Sequence, residues 1–235
     1  MNREQMLKEM GLGPIWRLRQ PPKKKRGAES APSSAAPVDA RTAAIAAMDW
    51  DALRCAVADC TACELCRTRK QAVLGVGNLD ADWLFIGEGP GADEDEKGEP
   101  FVGQAGKLLD AMLSAIDLKR GEQVYIANAV KCRPPNNRTP EAGETAACWP
   151  FLARQIELIR PKLIVTLGKP AAQTLLQEEV TISRARGVVQ DFAGIPLIVT
   201  YHPAYLLRNL TDKAKAWEDL CFARRTMKGL DDVGG

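Results

Sequence analysis

Four short, uninterrupted apolar runs restrict this chain more than any other feature of its sequence. They are Trp83-Leu84-Phe85-Ile86, Val124-Tyr125-Ile126-Ala127, Leu163-Ile164-Val165-Thr166-Leu167 and Leu197-Ile198-Val199-Thr200. A strand with one wet face alternates apolar and polar residues, whereas a strand covered on both faces reads as a continuous run. Helical patterns lie between them. Leu108, Leu109, Met112, Leu113 and Ile116 recur at helical spacing within Ala105 to Ile116. A second pattern runs to Ile159 and opens with Thr139-Pro140-Glu141, a cap residue followed by proline at the first helical position. Alternating units of this length require right-handed crossovers, which predicts an α/β fold, a layered α/β/α domain around a parallel sheet.

In such a sheet the carboxyl ends of the strands meet at one rim, and ligands bind there. The four runs lead into polar or glycine-rich segments: Gly87-Glu88-Gly89-Pro90-Gly91, Asn128-Ala129-Val130-Lys131-Cys132, Gly168-Lys169-Pro170 and Tyr201-His202-Pro203. His202 is the chain's single histidine. Pro203 cannot donate to a ladder and biases His202 towards extended geometry, which sets the imidazole at a strand end. A lone histidine is more often a core residue capping a strand. Four polar loops converging on one rim favour a site.

At 235 residues and 46% hydrophobic content, the chain is long and apolar enough for one well-buried core. No apolar stretch reaches membrane-spanning length, and a signal peptide's apolar core is absent, so an intracellular protein with no membrane partner is expected. The net charge of +2 conceals a local excess. Arg17, Arg19, Lys23, Lys24, Lys25 and Arg26 occur with no acid among them, and residues 21–37 are rich in Pro, Ser and Ala. Residues 1–39 therefore read as a disordered tail with a basic linker, suited to tethering phosphate or to docking a protein through Trp16. Residues 40–230 read as the folded domain. Met6, Leu7 and Met10 suggest a short amphipathic helix within the tail.

An odd count of seven cysteines, without an export signal, argues against a disulfide framework. Cys60-Thr61-Ala62-Cys63 is a chelating pair, and Cys132 and Cys148 form a second pair. Four thiolates gathered this way suit zinc or a [4Fe–4S] cluster, and spacing does not choose between them. Cys66 extends the first pair and is an alternative ligand. Cys55 and Cys221, in helix-like apolar settings, read as buried small hydrophobes.

Taken together, Gly87-Glu88-Gly89-Pro90-Gly91-Ala92-Asp93-Glu94-Asp95, Pro100-Phe101-Val102-Gly103, residues Asn128 to Pro140 and His202 to Arg208 resemble the family-4 uracil-DNA glycosylases. The likeness extends in order from about Ala58 to Phe222. It implies a four-stranded parallel sheet in an α/β/α sandwich. It also implies a [4Fe–4S] cluster on Cys60, Cys63, Cys132 and Cys148, with Cys66 not a ligand. The substrate it implies is uracil-containing DNA.

The strand-end residues make chemical sense for that reaction, which extrudes a deoxyuridine and encloses its base. Phe101 can stack on a pyrimidine. The Asn128 amide offers one acceptor and one donor to N3–H and O4 of uracil. Cytosine presents the opposite pattern, and each unmet buried group costs roughly 1–3 kcal/mol. His202 can donate to O2 as negative charge grows there, helped by backbone N–H groups at Gly89. Glu88 is expected near the anomeric carbon, stabilising the sugar cation and orienting water, and Glu94 against C5 to refuse a methyl group. Leu206 and Leu207 suit a wedge into the hole left by the flipped base, Arg138 and Arg208 suit phosphates, and Asn137 suits the backbone or sugar.

Two rival classes share some of these features. A non-catalytic, metal-containing nucleic-acid-binding module needs the cysteines and the basic tail but not the convergence of Glu88, Asn128 and His202. A redox protein using Cys60 and Cys63 as a dithiol needs no structural metal. One related glycosylase branch traps its product through a histidine in an inserted loop; Pro134 to Pro140 carries none, so turnover is expected. A monomeric, cytoplasmic, nucleoid-associated DNA repair enzyme is the overall expectation.

Overall fold

The four apolar runs become the centre of a six-stranded mixed sheet, in the order β1-β3-β2-β4-β6-β5. This is a computed structural model, and it describes residues 40–233. The expectations for residues 1–39 lie outside the described residues. The strands are β1 (Val76–Gly77), β2 (Trp83–Gly87), β3 (Val124–Asn128), β4 (Leu163–Leu167), β5 (Gln190–Phe192) and β6 (Ile195–Thr200). Residues of β2, β3 and β4 are buried throughout, as continuous apolar runs require.

The sheet is wider than the expected four strands. Strands β3, β2, β4 and β6 pair in parallel. Strand β1 adds antiparallel to β3, and β5 antiparallel to β6. These edge strands hold two and three residues and carry no apolar run, so nothing in their composition announced them. Pairing created them. Strands β5 and β6 form a hairpin whose two turn residues, Ala193 and Gly194, both have positive φ (51° and 84°), as a twist-matched two-residue turn demands.

The helices are α1 (Ala40–Ala46), α2 (Trp50–Ala58), α3 (Ala92–Lys97), α4 (Gln104–Ser114), α5 (Ala142–Ile159), α6 (Lys169–Leu176), α7 (Ile182–Ala185), α8 (Pro203–Arg208) and α9 (Lys213–Val233). One sheet face packs against Leu109, Leu113, Leu206 and Leu220, from α4, α8 and α9. The other packs against Leu152, Ile156, Ala172 and Leu175, from α5 and α6. A third apolar cluster joins α1 and α2 to α5 and contains Cys132 and Cys148.

Helix α5 begins later than Thr139-Pro140 predicts. Its N-cap is Glu141, closed by a capping box in which the Glu144 carboxylate accepts from the Glu141 N–H at 2.8 Å. The acidic run Asp93 to Glu96 is helical. It lies within α3, at whose amino end acids are favourable, and Asp95 is buried, accepting from the Lys70 N–H at 2.9 Å.

Register aligns the carboxyl ends. Gly87 sits beside Asn128, and Leu167 beside Thr200. The chain passes from β2 to β3 on one side and then from β3 across to β4 on the other side of β2, so the crevice between divergent loops opens at this rim.

Candidate active site

A cavity of about 780 Å³ opens on that rim, and all four strand ends contribute to it: Glu88, Asn128, Gly168 and His202, with Phe101 and Arg208. The floor depends on a missing side chain. A Cβ on Gly87 would lie 2.5 Å from Asn128 Oδ1 and 2.6 Å from Phe101 Cζ, so glycine there lets an amide and a ring meet at the sheet end.

Asn128 is 2% exposed, and its Oδ1 has no hydrogen-bond partner among the described residues. Buried polar atoms are satisfied in the great majority of cases, so an orphaned acceptor in a cavity wall is a ligand-reading feature.

Phe101 is buried, with φ of 57°, a left-handed conformation that costs a bulky residue energy. Arg120 holds it there. Its guanidinium donates to the Phe101 carbonyl and the Pro100 carbonyl at 2.8 Å each, while Asp110 accepts from its Nε at 2.9 Å. Gly106 in α4 is a second requirement, because a Cβ there would stand 1.7 Å from the Phe101 carbonyl oxygen. Neither Arg120 nor Gly106 was foreseen. The available signal was a glycine within an otherwise helical pattern, which often marks close backbone approach.

His202 caps α8, its Nδ1 accepting from the Ala204 N–H at 3.1 Å. Its ring lies 5.5 Å from that of Phe101, tilted 31°. Burial, with the Arg208 guanidinium nearby, lowers its pKa to about 4 against the opposing pull of Glu94. The imidazole is therefore neutral near pH 7. With Nδ1 accepting, the proton is on Nε2, which makes Nε2 a donor.

Glu88 is half-buried, and burial raises its carboxyl above the usual range against a hydrogen bond from Thr139. Glu94 lines the cavity, but its carboxylate is occupied. Oε2 accepts from the Gly91 N–H at 3.1 Å, and Oε1 accepts from the Val102 and Gly103 N–H groups at 2.9 and 3.1 Å. It thus pins the Gly89-Pro90-Gly91 turn to the segment carrying Phe101.

The DNA-handling residues divide differently from expectation. Leu206 is a core residue, 1% exposed, whereas Leu207 is 41% exposed. Both lie on a helix rather than a loop, and successive helical side chains diverge by about 100°, so two in a row cannot share a wedge. Arg208 is exposed with no ion pair among the described residues. Arg138 is committed instead to a bidentate pair with Glu144, at 2.7 and 2.8 Å, which turns its donors from phosphate towards the start of α5. Asn137 is exposed on the cavity lip with φ of 55°, accepting from Arg133 Nε at 2.7 Å.

Cys60 and Cys63 pack against buried Cys132 and Cys148 in the third apolar cluster. Donors surround them. Arg69 Nη1 approaches Cys132 Sγ at 2.9 Å, the Lys131 N–H approaches Cys148 Sγ at 3.2 Å, and Arg41 Nη2 approaches Cys60 Sγ at 3.8 Å. Burial pushes the thiols of Cys63, Cys132 and Cys148 up, the last to about 12. Among the described residues, no three His, Cys, Asp or Glu side chains are arranged around a single ion. Thiols facing cationic and N–H donors fit the chemistry of a group held by thiolates. Cys66 is half-buried beside them, and Cys55 is exposed, contrary to the expectation of a buried small hydrophobe.

Residues 74–221 match the family model described as the uracil DNA glycosylase superfamily. The type-4 uracil-DNA glycosylase of Thermotoga maritima is 49% identical over 161 residues, spanning 68% of this chain and 83% of the relative. That of Archaeoglobus fulgidus is 49% identical over 159 residues, 64% of this chain and 79% of the relative. A type-5 uracil-DNA glycosylase of Pyrobaculum aerophilum is more distant, 32% identical over 146 residues, 55% of this chain and 64% of the relative.

Proposed function

This chain belongs to the uracil DNA glycosylase superfamily, and we propose that it is a type-4 uracil-DNA glycosylase, a DNA repair hydrolase acting on N-glycosyl bonds. It cleaves the bond between C1′ of deoxyuridine and N1 of uracil. Water supplies hydroxide to C1′ and a proton to the departing base, leaving an abasic site in an unbroken strand. The observation that carries the assignment is the Asn128 amide, buried with an unpartnered Oδ1 between Gly87 and Phe101.

In this reading Asn128 Oδ1 accepts from uracil N3–H and its amide nitrogen donates to O4, while Phe101 stacks on the ring. His202 Nε2–H donates to O2, where negative charge gathers as the bond breaks, and the Gly89 N–H assists. A neutral donor suits this step, because an imidazolium would cost burial energy throughout the cycle. Glu88, whose pKa burial raises, faces the sugar and in its ionised form stabilises positive charge at C1′ and orients water. Glu94 lies at the C5 side through the turn it holds, and Asn137 meets the sugar–phosphate at the lip. Leu207 fills the gap left in the duplex, with Arg208 neutralising phosphate.

Cys60, Cys63, Cys132 and Cys148 would hold a [4Fe–4S] cluster, whose contribution is structural: it ties the segment after α2 to the loop after β3. Among the described residues no helix is long and apolar enough to cross a membrane. A monomer working on chromosomal DNA inside the cell fits the site, with the N-terminal tail as a DNA tether or protein contact.

The test is incubation with a labelled oligonucleotide carrying one uracil, followed by alkali. Free uracil and alkali-dependent strand cleavage are expected. DNA binding without uracil release at stoichiometric enzyme would instead favour a non-catalytic binding module.

A further inference from the structure

Lys131 is among the largest fully buried side chains, 1% exposed, and no carboxylate of the described residues pairs with it. Its ammonium donates to the Asn128 carbonyl at 2.8 Å and to Gln155 Oε1 at 2.5 Å. Gln155, 0% exposed, is fixed in turn, its Nε2 donating to the Leu74 carbonyl at 3.0 Å and to the Tyr125 hydroxyl at 3.2 Å. From the other end of the same residue, the backbone N–H donates to Cys148 Sγ, and Cys132 follows next in the chain.

A buried ammonium without a counter-charge is strongly disfavoured, and a methionine would fill the same space without that penalty. Two neutral oxygens do not balance the charge. The groups that oppose this penalty electrostatically are the sulfurs of Cys148 and Cys132 in thiolate form, and the Lys131 backbone N–H donates to the first of them. We propose that Lys131 is a positioning residue that joins the cysteine nest to the base-reading amide. Its ammonium balances the thiolate sulfurs and, through the Asn128 carbonyl, sets where the Asn128 side chain stands in the cavity. This rests on the glycosylase reading and extends it, because loading of the nest then bears on uracil affinity through one residue, Lys131.

The test uses full-length Lys131→Met and Gln155→Met, purified anaerobically, with free uracil as inhibitor of single-turnover cleavage. Bleaching of visible absorbance under a chelator is the second readout. Lys131→Met should weaken inhibition by uracil about tenfold, lower the maximal rate by less, and bleach several times faster than wild type. Gln155→Met keeps the charge but frees its far end, so it should weaken inhibition about threefold and bleach at the wild-type rate. Uracil inhibition unchanged in both variants, or Lys131→Met bleaching at the wild-type rate, would overturn the inference. If Lys131→Met does not fold, Gln155→Met decides alone: weaker inhibition with normal bleaching upholds the link, and unchanged inhibition rejects it. Wild-type protein that releases no uracil would refute the glycosylase assignment, whereas active wild type with unaltered variants would refute only the role of Lys131.

Discussion

Leu206 and Leu207 are neighbours in the chain with opposite fates, which makes them a sharp test of how the DNA face is built. Leu206 is 1% exposed and packs in the core cluster with α4 and α9 residues, while Leu207 is 41% exposed. Truncating a buried leucine loses transfer energy and leaves a cavity, so Leu206→Ala should cost about 2–5 kcal/mol. For a domain of this size each kcal/mol moves the midpoint by roughly 2–4 °C, giving a fall of about 4–20 °C in thermal melting. Leu207→Ala, at a surface position, should stay within about 0.5 kcal/mol of wild type. Its loss should appear in catalysis. On duplex DNA the flipped base leaves a gap that an apolar side chain fills, and stacking energy of a few kcal/mol is at stake. Single-turnover cleavage of duplex substrate should therefore slow about tenfold or more in Leu207→Ala, and that of single-stranded substrate less than about twofold. A Leu206→Ala protein that melts like wild type, or a Leu207→Ala protein slowed equally on both substrates, would refute this division.

Gly106→Ala should displace Phe101, because the new Cβ would stand 1.7 Å from its carbonyl oxygen; weaker inhibition by free uracil, measured beside circular dichroism to confirm folding, is the expected outcome. His202 has a folded pKa of about 4, below the roughly 6.5 of an unfolded histidine, so the unfolded chain takes up its proton first. Its contribution is intact above about pH 6.5 and is lost as pH falls towards 4, a cost of up to about 3 kcal/mol that denaturant titrations of wild type and His202→Ala should reveal. Glu88 must ionise to act, and burial raises its pKa, so the single-turnover rate should climb with pH through a midpoint on the alkaline side of an ordinary glutamate, and Glu88→Gln should flatten that limb. Serine at Cys60, Cys63, Cys132 or Cys148 should each empty the protein of iron, while Cys66→Ser should keep about four irons per chain, as elemental analysis will measure.

Much of this architecture is written locally. Short continuous apolar runs bounded by turn residues read as strands covered on both faces, and helical repeats between them leave one economical topology, so the parallel centre of the sheet and the rim that carries the cavity are legible from spacing. Asn128 and Gly168 stand out because each directly follows such a run, and His202 because it stands two residues beyond one. What spacing does not contain is how side chains meet across the sequence. Strands β1 and β5 exist because β3 and β6 have edges to pair with, and residues as unremarkable as Val76–Gly77 serve. Arg138 looked free for phosphate until α5 presented Glu144 to it, and Glu94 looked free for a base until the loop at Val102 and Gly103 closed over its carboxylate. Leu206 and Leu207 were indistinguishable until a helix turned one inward. Lys131 carried no signal at all, since a lysine after a strand reads as surface and only the fold reveals it sealed beneath Asn128. Backbone preference and burial are properties of a residue and its near neighbours, and a sequence states them; the partner that completes a charge or a hydrogen bond comes from tens of residues away, and only packing chooses it.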